Sequence, residues 1–80
     1  MITLEDHERL KEEGYSLVQF DHYYLNEPKI SKNYINVDEF GLSNIISKLE
    51  ELIKHNFIRT FCLCPLDEGW TNIRVYAQPK

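Results

Sequence analysis

Cys62 and Cys64 are the only cysteines of this 80-residue chain, and they stand two residues apart in the run "FCLC". Two thiols so placed suggest three chemistries: a disulfide, half of a thiolate metal site, or a nucleophile working with a nearby base. In an extended strand, residues i and i+2 share a face with their Cα atoms about 6.5–7 Å apart. That is a poor distance for a disulfide. A zinc site needs two further ligands at workable spacing. The only histidines are His7, His22 and His55, and no C-x-x-C or H-x-x-x-H pattern occurs among them. A nucleophile needs an oriented base, and Asp21-His22 is the nearest candidate pair, but neighbours on a strand point to opposite faces. Glycine-rich phosphate loops, nucleophile elbows and metal-plus-glutamate motifs do not occur. The cysteines therefore read as small apolar strand residues. No catalytic residue, metal ligand or cofactor is expected, and a small catalytic or metal-binding domain is the least favoured reading. A chain of this size has little room for a substrate pocket beside its core.

The elements that would position these residues form one small α+β domain over residues 1–80. Thr3, with Asp6 three residues later, has the form of a capping box, and Gly14 suits a left-handed helix end, so a first helix is predicted over 4–13. Leu4, His7 and Leu10 mark its inner stripe, and the rest of its circumference is polar. "YSLVQFDHYYL", the turn "NEPK" and "ISKNYINV" then read as a hairpin. Leu42, Ile45, Ile46, Leu49, Leu52 and Ile53 recur at helical spacing, predicting the main amphipathic helix. Ser43 or Asp38 is its expected cap, and His55 and Asn56 suit its end. "FIRTFCLC", the turn "PLDEG" and "WTNIRVYAQ" form a second hairpin. The expected order is helix, hairpin, helix, hairpin, with a four-stranded antiparallel sheet packed on the main helix.

Charge bounds the partners. The formal net charge is −4, and the acid gathers toward the first helix in Glu5, Asp6, Glu8, Glu12 and Glu13. No cluster of Lys and Arg offers a counterion-releasing surface, which disfavours nucleic acid. No apolar run approaches bilayer length, and the acidic, polar N-terminus is unlike a signal peptide, so a cytoplasmic protein without membrane contact is expected.

The aromatic content is more informative. Tyr15, Tyr23, Tyr24, Tyr34, Trp70 and Tyr76, with Arg59, Arg74 and Lys32, are of the types enriched at binding hot spots. On the last strand Ile73, Val75 and Ala77 claim the inward row, which sends Asn72, Arg74 and Tyr76 to the opposite face. Both rows of 58–64 are largely apolar, so either the first helix or a partner chain must cover the second face. The partner-binding candidates are Arg74, Tyr76, Arg59, Phe61 and Trp70. They suit a non-catalytic interaction module docking another protein with a basic surface, as an inhibitor or regulator of a nucleic-acid-binding partner would. A homodimer and single-stranded nucleic-acid binding on sheet aromatics are the alternatives.

Overall fold

The structure is a computed structural model that describes residues 1–21 and 31–80. Its elements in chain order are α1 (Leu4–Glu12), β1 (Ser16–Leu17), β2 (Phe20–Asp21), β3 (Ser31–Lys32), β4 (Ile35–Asn36), α2 (Val37–Phe40), α3 (Leu42–Lys54), β5 (Ile58–Pro65) and β6 (Asn72–Pro79). The α+β class, the four-stranded antiparallel sheet and the main helix are as the sequence predicts. The turn "NEPK" and His22, Tyr23 and Tyr24 lie outside the described residues.

β6 is the centre of the sheet. Along one edge it pairs with β5 from Pro65↔Ile73 to Ile58↔Pro79, with a bulge between Ile58 and Thr60. Along the other edge it pairs first with β4, at Ile35↔Ile73, and then with β1, at Leu17↔Tyr76. β1 and β4 thus succeed one another on a single edge, and the chain between them carries the separate ribbon β2–β3. The first hairpin is therefore not two long strands. Its two ends join the sheet, and its middle departs.

Local chemistry sets both ends of α1 and the far end of α3. Thr3 Oγ1 accepts from the Asp6 amide while the Asp6 carboxylate accepts from the Thr3 amide, both at 3.1 Å. Gly14, at φ 93°, closes α1 as its amide bonds the Lys11 carbonyl and the Tyr15 amide reaches the Leu10 carbonyl. α3 ends the same way, with Asn56 at φ 64° and the Phe57 amide on the Leu52 carbonyl. Its start differs from expectation. Asn36, not Asp38 or Ser43, supplies a cap, and it caps the short α2, while α3 follows Gly41 with no side-chain cap.

The core lies between α3 and the sheet, where Ile45 and Leu49 meet Ile35, Ile73 and Val75, flanked by Phe61, Leu63 and Leu52. The expected inward row is correct: Ile73, Val75 and Ala77 are all buried. The opposite face is roofed by α1. The Ile2 amide bonds the Pro65 carbonyl at 3.1 Å, His7 Nδ1 meets the Tyr76 hydroxyl at 2.7 Å, and Gln78 Nε2 donates to the Glu13 carbonyl at 2.8 Å. The first helix, one of the two covers foreseen for this face, lies over it. α1 does so without burying any residue of its own. Leu4, expected on its inner stripe, is 74% exposed.

Candidate functional site

The residues singled out for binding do not form one surface. Arg74 and Tyr76 do lie opposite Ile73 and Val75, but the expectation that they point into the open is corrected by α1. Tyr76 is 0% exposed, with its ring edge-on to His7 at a centroid distance of 5.5 Å. Arg74 is half-buried, and its Nε is buried with no hydrogen-bond partner. Phe61 packs half-buried on the α3 core. Arg59 is exposed at the bulge of β5, near the chain's C-terminal end of the sheet. Trp70 stands at the other end, in the turn between β5 and β6, and is 45% exposed.

The thiols lie on the α1 face, side by side, with Sγ atoms 3.6 Å apart. Burial first, and then the hydrogen bond with Cys62, push the Cys64 thiol up to about 12. It is therefore a protonated and weak nucleophile at neutral pH. Among the described residues no three His, Cys, Asp or Glu side chains converge as a metal-binding group.

The Trp70 turn has a definite construction. Asp67 accepts through its two carboxylate oxygens from the amides of Thr71 (2.8 Å) and Asn72 (3.1 Å), and its carbonyl accepts from the Trp70 amide at 3.3 Å. The Thr71 amide foremost, and the Asn72 amide with it, hold the Asp67 carboxyl below its ordinary value. Within this frame Trp70 takes φ 56°, a left-handed conformation that costs a bulky residue roughly 1–2 kcal/mol and that glycine adopts freely.

The same end of the sheet gathers other exposed side chains. Ile2 is tied to Pro65, and Val37 donates to the Thr71 carbonyl at 2.8 Å, so the starts of α1, α2 and α3 all lie at this end. They bring Met1, Leu4 and Leu42 as exposed apolar groups and Glu5, Asp38 and Glu39, with Glu68 of the turn, as exposed acids. This constellation, apart from Trp70, is not legible in the sequence, because its members come from three separate stretches. The one local signal was "DEG" before Trp70, which marks a turn built on an aspartate.

No protein-family model, no curated protein and no solved structure matches this chain. No helix among the described residues is long and apolar enough to cross a membrane.

Proposed function

We propose that this chain is a non-catalytic protein-interaction module that docks a basic protein surface through its Trp70 end. The observation that carries this reading is Trp70 itself, a large aromatic held half-exposed in a backbone conformation where glycine would be cheaper. Strain of this kind persists where the surrounding structure imposes it, and it gathers at sites that bind. Tryptophan is also the residue type most enriched among binding hot spots. Met1, Leu4 and Leu42 are exposed apolar groups at the same end of the sheet, and Glu5, Asp38, Glu39 and Glu68 supply charge that steers toward a positive partner. A regulator occupying the basic groove of a nucleic-acid-binding protein is the specific form of this reading. Base stacking on the sheet is less favoured, since α1 and α3 roof its two faces and Tyr76 has no exposed ring.

The test is affinity capture from nuclease-treated lysate with three baits: the parent chain, Trp70→Gly, and a triple change of Asp38, Glu39 and Glu68 to Lys. The expected result is a basic protein retained by the parent, released by salt, and lost with both variants while each melts near the parent. Equal retention of the same partner by folded Trp70→Gly would overturn the assignment. Capture that vanishes only on nuclease treatment would replace it with the nucleic-acid reading.

A further inference from the structure

A second surface is defined by backbone rather than side chains. β6 alternates its hydrogen bonding between its two neighbours. The Val18 amide donates to the Val75 carbonyl at 2.9 Å and the Val37 amide to the Thr71 carbonyl at 2.8 Å, so odd-numbered residues of β6 turn toward β1 and β4. Its even-numbered residues turn toward β5, as the Leu66 amide on the Asn72 carbonyl at 2.9 Å also shows. The register Cys62↔Tyr76 and Cys64↔Arg74 then makes both cysteines bond inward. Phe61, Leu63 and Pro65 present their backbone outward. The Pro65 carbonyl is taken by the Ile2 amide, and β5 pairs with no strand but β6 among the described residues. Among the described residues, what remains without a strand partner on this edge is the N–H and C=O of Phe61 and the N–H and C=O of Leu63.

We propose that this edge pairs antiparallel with the same edge of a second copy of the chain, about a two-fold axis at Cys62. The occupant follows from self-complementarity. The open groups are placed symmetrically about Cys62, so Phe61 lies opposite the second copy's Leu63, and Leu63 opposite its Phe61, with every open donor meeting an open acceptor. The strand carries no acid, and Arg59, its one charge, falls opposite Pro65 rather than a second arginine. Elsewhere the net charge of −4 sets two copies against each other, which confines contact to this acid-free edge. Phe61 and Leu63 are half-buried on the α3 face, and pairing covers what remains of them. At the far end the Ile58/Thr60 bulge interrupts the regular strand, so the paired stretch ends before the position that Ile2 holds beside Pro65. A largely apolar edge with a single charge at its bulged end is the kind of strand that recruits another strand.

The geometry makes a sharp thiol prediction. On the axis the two Cys62 residues form a non-hydrogen-bonded pair with Cα atoms about 4.5 Å apart, which a disulfide spans. Each Cys64 lies opposite the other copy's Thr60, so the two Cys64 residues stand four strand positions apart, roughly 13 Å. Sedimentation equilibrium of the unmodified chain up to about 1 mM is expected to show a monomer–dimer equilibrium of weak affinity, since the ladder is short. Diamide, which accepts two electrons and two protons from a pair of thiols, is then added to Cys64→Ser and Cys62→Ser separately. The Cys64→Ser chain is expected to form a covalent dimer at least about tenfold faster than Cys62→Ser. A monomer at every concentration of the unmodified chain would overturn the proposal. Cross-linking of the two variants at equal rates, or faster through Cys64, would do the same. The sedimentation arm needs no substitution and is independent of the Trp70 end.

Discussion

The two faces of one sheet are covered by helices of opposite character. On one, α3 buries Ile45 and Leu49 against Ile35, Ile73 and Val75, and the contact is hydrocarbon throughout. On the other, α1 buries no residue of its own and meets Tyr76 through His7 and Gln78 through a backbone carbonyl. Apolar burial is worth roughly 25 cal/mol per Å² wherever it occurs, whereas a hydrogen bond exchanged with water nets only about 1 kcal/mol. The α3 face therefore rests on apolar burial from both layers, whereas on the α1 face the sheet's own Tyr76 is buried and the helix contributes mainly hydrogen bonds. Weakness in α1 is a consequence of its sequence, which offers too few apolar positions on any one side.

The largest effect that separates the two faces is expected from Leu49→Ala, which should cost about 2–5 kcal/mol through lost burial and a cavity. In a domain this small that approaches global unfolding. Chemical denaturation followed by circular dichroism checks it, and a midpoint equal to the parent's would show that α3 is not the core helix. A second expectation concerns local opening. Native-state hydrogen exchange should find the α1 amides exchanging through openings well below the global free energy, while those of α3 exchange near it. Equal protection of the two helices would break the contrast. Third, Tyr76→Phe keeps the ring and removes only its bond to His7, so it should cost about 1 kcal/mol and speed exchange in α1 more than in α3.

The smallest effect is that of acid. The Thr3 amide foremost, then its hydroxyl, hold the Asp6 carboxyl below its ordinary value. A carboxyl depressed in the folded state contributes stability that is fully present above its ordinary value and is lost as pH falls through the lowered one. Since α3 has no capping carboxylate, acidification should loosen the first turn of α1 before it touches α3. Amide shifts of Thr3, Asp6 and Leu42 across an acid titration read this directly. Simultaneous loss at both helix starts would mean global acid unfolding instead.

Much of the fold was legible because its signals are local. The Thr3/Asp6 box, Gly14 and Asn56 each satisfy helix ends through bonds within six residues, and the α3 stripe repeats within one element. The alternation of Ile73, Val75 and Ala77 was equally legible, because a strand's two faces differ by one residue. The first hairpin was legible as the β2–β3 pairing, but the attachment of its ends was not, since they pair with β6 some forty to sixty residues later. Nor was the start of α3, where Asn36 and Gly41 insert the short α2. Leu4 misled for a related reason: periodicity marks an apolar stripe, but whether anything lies opposite it is decided elsewhere.

The candidate sites divide along the same line. Arg74 and Tyr76 were assigned to their face correctly and to solvent wrongly, because alternation dictates direction while a distant helix dictates cover. Trp70 was identifiable by type, and its left-handed backbone came only from the Asp67 turn around it. The sequence alone determined composition, the caps of α1, helical and strand periodicity and the absence of a recognisable catalytic motif, because each depends on residues close together in the chain. Tertiary structure alone decided which face α1 roofs, which strand edge has no partner strand among the described residues and which exposed side chains share an end. Those depend on contacts between residues far apart, and no short-range pattern encodes them.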